Sequence, residues 1–180
     1  MNCSLIKRSS AMTIAGRKPA DTFHLEAPAG QGSIRLTREF DAPRDIVWTA
    51  FTTADHMANW WGPRKYTNDI QAYDVRVGGK WRIVQSAGDQ RHVFKGEFRI
   101  VEAPEVLSWT FGYMDFPPVV ETIRFENIGG RTRIVIEGEF PSVEARDGMI
   151  NSGMESGARE SYERLDDLLA SQSAKTQGAI

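Results

Sequence analysis

Strand alternation puts residues of equal parity on one face, and in this sequence it sets four polar side chains among large apolar ones. His92 shares parity with Phe94, Phe98 and Ile100; Glu121 with Val119, Ile123 and Phe125; Gln85 with Trp81 and Ile83; Arg38 with Ile34, Leu36 and Phe40. A lone polar group buried without a bond costs about 1–3 kcal/mol, and a lone charge more. Four inward groups therefore need one another, water in a cavity, or the polar head of a ligand, and a few convergent polar groups in apolar walls describe a small-molecule site. An imidazole beside a carboxylate can also act as a general base. His92 is thus a candidate proton carrier and Glu121 its orienting partner. The alternative is that Arg38 and Gln85 snorkel out at strand ends and that a bulge turns His92 or Glu121 to solvent.

Aromatic and flexible side chains supply candidate walls. Trp60 and Trp61 precede a Gly62-Pro63 stop and could close one mouth of a cavity; Trp81, Phe98, Trp109 and Phe111 could line it; Met154 and Tyr162 face inward from a late helix, one adaptable in shape, the other offering a hydroxyl. Core packing explains each of these equally well. No zinc-protease, phosphate-loop, dinucleotide or nucleophile-elbow motif is present. His24, His56 and His92 lie in different elements without a second ligand at metal spacing, so neither a metal nor a cofactor is expected.

The elements that would position these residues follow from periodicity. Ile34, Leu36 and Phe40 alternate with polar residues as a half-buried strand does. Asp41 offers an N-cap and Pro43 a first helical turn for a short helix through Ile46, Val47, Ala50 and Phe51, and Thr53-Ala54-Asp55 starts a second, ending at Gly62-Pro63. From Asp69 to Phe140 turn signals separate six further strands. After Pro141, Ser142 can cap one helical region in which Met154, Ala158, Ser161, Leu165 and Leu168 form a single face. Gly153 and Gly157 would let that helix approach the sheet closely. The prediction is an α+β fold: a curved seven-stranded antiparallel sheet around a long C-terminal helix, with two short helices after the first strand.

At 180 residues, one ordinary domain is expected. Residues 33–170 form it, with a flexible extension at 1–32 and a flexible tail at 171–180. Lys7, Arg8, Arg17 and Lys18 without an acid overlap transit-peptide composition, but an untargeted tail or a true start at Met12 reads equally well. With Lys+Arg 22 against Asp+Glu 24, no overall field draws in nucleic acid. No uncharged stretch approaches the ~20 residues of a membrane span. The single Cys3 forms no intramolecular disulfide, which suits a reducing, cytoplasmic location.

Several stretches, in order, resemble a known family: Phe40-Asp41-Ala42-Pro43 with Val47-Trp48, Trp60-Trp61-Gly62-Pro63, Asp74 to Trp81 around Gly78-Gly79, Gly96-Glu97-Phe98, Pro104-Glu105-Val106-Leu107, Thr122 to Phe125, and Gly153-Met154 with Gly157. They are similar to homologues of the heat-shock-protein-90 ATPase activator, within the START-like, birch-allergen-like (SRPBCC) superfamily. The resemblance spans roughly Ile34 to Ala170 and implies a helix-grip fold with a cavity for a small hydrophobic or amphipathic ligand. No catalytic set is shared across that family. The activators that name it carry a separate chaperone-engaging domain, for which the residues before Ser33 are too few. Ligand binding is therefore the leading expectation. Open alternatives are cyclase, dehydratase or hydrolase chemistry in the same pocket, a chaperone-assisting role, and a homodimer formed through a strand edge or the small helices.

Overall fold

Inward-facing Ile34, Leu36, Arg38 and Phe40 are all buried while Arg35 between them is exposed, so the first predicted strand forms with the expected face inward. The computed structural model describes residues 21–114 and 116–177; the expectations about targeting and an alternative start lie outside them. Strands are β1 (His24–Glu26), β2 (Ser33–Phe40), β3 (Thr67–Tyr73), β4 (Lys80–Ala87), β5 (Gln90–Glu102), β6 (Val106–Tyr113), β7 (Val119–Asn127) and β8 (Thr132–Glu139). Helices are α1 (Arg44–Thr52), α2 (Ala54–Trp60), α3 (Val143–Asn151) and α4 (Met154–Gln177). The strands make one antiparallel sheet in the order β1-β2-β8-β7-β6-β5-β4-β3, so only the β2–β8 pairing departs from the order of the chain.

The sheet has eight strands, not seven. The added strand, β1, falls in the stretch expected to be a flexible extension and pairs with β2 through His24↔Thr37 and Glu26↔Arg35. Side chains at its start help to hold it. Phe23 is buried 6.2 Å from the Tyr162 ring, and Thr22 Oγ1 accepts hydrogen bonds from the Glu39 amide and from Arg38 Nη1. At the other end α4 runs on to Gln177, through most of the stretch expected to be a tail.

Three local expectations are also corrected. Asp41 does not cap α1; Pro43 stands at the N-cap, its carbonyl accepting from Ile46 and Val47, and Asp41 lies 3.8 Å from Arg131. The helical region after Ser142, whose hydroxyl does cap it by accepting from the Ala145 amide, is broken in two at Gly153. There φ is +90°, a conformation glycine adopts without steric cost. Gly153 thus acts by turning the chain, and at Gly157 the nearest atom to an added Cβ is 3.9 Å away, on Pro63, so neither glycine brings the helix close to the sheet. Finally, the register of β5 shifts between Phe98 and Ile100, which sends Phe98 fully inward and Ile100 outward.

The core is continuous from α1 and α2 across the sheet to the second half of α4, where Leu165 and Leu169 are buried. The helix is also tied to the sheet by charge. Arg38 Nη2 meets Asp166 Oδ2 at 2.5 Å, with Arg38 almost wholly buried. Burial pushes the Asp166 carboxyl up and the Arg38 guanidinium draws it back down. Removing one member of a buried pair strands the other, so Arg38→Ala should cost about 3 kcal/mol in urea unfolding, with the Arg38→Ala/Asp166→Ala double variant recovering part of the loss. Additive losses would mean that the pair is not coupled.

Candidate functional site

The first half of α4 is where helix and sheet part. A cavity of about 690 Å³ lies between them, within the usual range for small-molecule pockets. Ile34, Leu36, Trp109, Val119, Ile123 and Ile136 make its sheet wall, Met154, Ala158 and Tyr162 its helix wall, and Trp60 and Trp61 one side. Trp60 is buried and donates its indole N–H to the Ala50 carbonyl at 2.9 Å, fixing its ring. Trp61 is half-buried and stands edge-on to Phe94, with ring centroids 4.7 Å apart.

Polar side chains of α4 hold the turn that carries these tryptophans. Ser161 Oγ accepts from the Gly62 amide at 2.9 Å and donates to the Gly157 carbonyl. The Arg164 guanidinium, placed on the polar face by helical spacing, instead caps the end of α2. It donates to the carbonyls of Asn59 at 2.6 Å and Gly62 at 2.8 Å, satisfying acceptors that a helix terminus leaves open. Gly62 itself has φ +78°, and a Cβ there would lie 1.8 Å from Gln85 Nε2. Any other residue there would strain the backbone and push the Gln85 amide aside.

Of the four inward polar residues, three reach the cavity. Gln85 is buried beneath Gly62, with only a long 3.4 Å contact to the Trp61 carbonyl. His92 is half-buried near the mouth, each ring nitrogen within hydrogen-bond distance of a phenol: Tyr66 at 3.1 Å and Tyr113 at 2.7 Å. Glu121 lies opposite Trp109 across the β6–β7 ladder and accepts its indole N–H on Oε2 at 2.8 Å. Burial pushes the Glu121 carboxyl up, against the pull of that bond. Tyr162 lies near it: burial first, and the Glu121 charge second, push the phenol far above its ordinary range.

Arg38, the fourth, is held by Asp166 and Thr22 and does not line the cavity. Trp81 and Phe98 are buried in the core behind the cavity wall and also stay out of it. Trp60, Trp61, Gln85, His92, Trp109, Glu121, Met154 and Tyr162 do line it. The proposed His92–Glu121 partnership is not formed, since His92 bonds two phenols and Glu121 bonds Trp109. Tyr66 and Tyr113 were missed. Tyr113 shares parity with Trp109 and Phe111 and could have been found that way, whereas Tyr66 sits in the loop after Pro63, where no periodicity applies. Among the described residues no group of three or more His, Cys, Asp or Glu could hold a metal ion, and no helix is long and apolar enough to cross a membrane.

An antiparallel sheet curled round a C-terminal helix, with a cavity under the first half of that helix, is the START-like architecture. Residues 41–170 match the profile of the Activator of Hsp90 ATPase homolog 1-like proteins, and the chain belongs to that family. Solved structures agree. A protein from Arthrobacter aurescens is 27% identical, covering 82% of this chain and 91% of its own, with a TM-score of 0.77. A protein from Rhodobacter sphaeroides shares the fold at 22% identity, covering 83% of this chain and 99% of its own, TM-score 0.78. One from Mycobacterium smegmatis does so at 22% identity, 81% and 95% coverage and TM-score 0.75. No curated protein matches the chain.

The raised Glu121 carboxyl has a consequence for stability. An acid whose pKa is higher in the folded state favours folding below its unfolded pKa, and that contribution disappears as pH rises through the folded value. Glu121→Gln should therefore raise the melting temperature at pH 8 and have little effect at pH 4. A variant equally or more destabilised at pH 8 than at pH 4 would contradict this.

Proposed function

We propose that this protein binds a small hydrophobic or amphipathic molecule in the cavity between the sheet and the first half of α4. The observation that carries the reading is the cavity itself: about 690 Å³ with mainly apolar and aromatic walls and a few polar groups turned into it. Native cores are packed to crystal-like density, with few voids larger than a water molecule. A space this large beneath a helix that is tightly held elsewhere fits an interior kept for a guest. Its polar groups also fall in two sets, with Tyr66 and Tyr113 each bonded to His92 in one and Glu121 and Tyr162 in the other. Such a distribution suits a molecule with an apolar body and at least one hydrogen-bonding end.

Catalysis by a His92–Glu121 pair gains no support from this geometry, because the two side chains are engaged by different partners. Family membership also leaves room for a chaperone-assisting role through the surface, which the same experiment addresses.

Uptake of a neutral, environment-sensitive apolar dye tests the reading. The wild-type protein should take up one dye per chain with a blue-shifted emission. Ala158→Trp, which places an indole into the cavity from α4, should abolish uptake while the far-UV circular dichroism stays unchanged. Failure of the dye to enter the wild type, together with no co-purifying small molecule in native mass spectrometry, would favour a surface role instead.

A further inference from the structure

Resting on that reading, we propose that the ligand carries a protonated amine on its apolar body, and that Glu121 receives this group inside the cavity. The inference starts from a census of charge. Among the described residues lining the cavity, Glu121 is the ionisable carboxyl set deep in it, and no arginine or lysine accompanies it there. Lys65 is exposed at the rim. Glu160, also lining, accepts from the Arg64 amide at 2.8 Å. His92 has both ring nitrogens engaged by Tyr66 and Tyr113. Arg38, the inward cation nearest in sequence pattern, is committed to Asp166 outside the cavity.

Glu121 is itself half satisfied. Trp109 occupies Oε2, and among the described residues no hydrogen bond reaches Oε1. Nor, among them, does any reach the Tyr162 hydroxyl, which lines the same space. An anionic ligand would meet a carboxyl group with no cation to compensate it, and burying such a like-charge pair is strongly unfavourable. A cationic head does the opposite: it supplies the counter-charge that Glu121 lacks and donates to its free oxygen, in a space also lined by the aromatic side chains of Trp60 and Tyr162. The surrounding walls are apolar, so the rest of the molecule is hydrocarbon or aromatic. A hydrophobic amine, rather than a fatty acid or other amphipathic anion, is the class this cavity fits.

The test compares three probes of equal chain length at pH 7, below their micellar concentrations: dodecylamine, dodecanol and dodecanoate. Each displaces the neutral dye from the full-length protein and from Glu121→Gln, which keeps the size and the Trp109 bond acceptor but cannot ionise. Dodecylamine should bind the wild type tightest, dodecanoate weakest, and Glu121→Gln should weaken the amine by roughly 10- to 100-fold while leaving the alcohol within about 3-fold, as expected for loss of one charge-assisted bond. Dodecanoate binding as tightly as dodecylamine, or an amine affinity unchanged in Glu121→Gln, would overturn the assignment while leaving the ligand-binding reading intact. Failure of the dye and all three probes to bind the wild type would overturn that reading, and this inference with it.

Discussion

The structure depends on how α4 is seated. Its second half is fastened to the sheet by the burial of Leu165 and Leu169 and by the Arg38–Asp166 pair, which reaches across to β2. Its first turn begins at the sharp break of Gly153 after α3. Between these anchors the helix is a rigid rod, because its backbone bonds are internal and cannot sag toward the sheet to fill space. Fastened to the sheet through its second half, it stands off the sheet over its first half, and the gap is the cavity.

The same helix also fixes the side of that gap. Ser161 and Arg164 bind the carbonyls and amide of the Trp61-Gly62 turn, and Arg164 replaces the hydrogen bonds that the end of α2 would otherwise lack. Burial lowers the Arg164 guanidinium below its ordinary range, and the neighbouring Arg64 charge adds to this against the pull of Glu160. Trp60 and Trp61 are thereby held from several sides: by α4 at the turn, by the Ala50 carbonyl that accepts the Trp60 indole N–H, and by Asn68 of β3, which donates to the Trp61 carbonyl at 2.7 Å. Cavity roof and cavity side are thus joined through the Trp61-Gly62 turn.

Much of this was legible in the sequence where one rule governs, and little of it where two distant segments meet. Alternation placed Ile34, Leu36 and Phe40 inward and put Gln85, His92 and Glu121 on the cavity side, because parity is a local property of a strand. It placed Arg38 inward as well, but could not reveal Asp166, 128 residues later, as the partner that removes Arg38 from the site. It failed at Ile100, where the bulge after Phe98 shifts the face by one residue. Helical spacing marked Leu165 and Tyr162 as inward but read Arg164 as solvent-facing, since the carbonyls it caps belong to a turn about a hundred residues earlier. The short β1 escaped because three residues are too few for a period; it forms through Phe23 packing on Tyr162 and Thr22 bonding to Arg38.

Glu121 shows why the unmade bonds of a site carry its selectivity. Trp81 and Phe98, large and buried behind the wall, make the interior apolar without selecting among guests, since any hydrocarbon gains by leaving water. A half-buried carboxyl turned to the cavity, with one oxygen bonded and the other free, is different. It charges a penalty to every guest that leaves it unpaired and a larger one to a guest of like charge, so it discriminates by exclusion as much as by attraction. Trp109 contributes by holding that carboxyl in place from the adjacent strand, at a fixed cross-strand position, so the free oxygen is presented without a conformational search. The rigid ladder of β6 and β7 thus carries the polar end of the site, while the adaptable thioether of Met154 on α4 faces it from the other wall. Fixed polarity on the sheet and adjustable shape on the helix are the arrangement expected of a cavity that recognises one chemical group on bodies of varying outline.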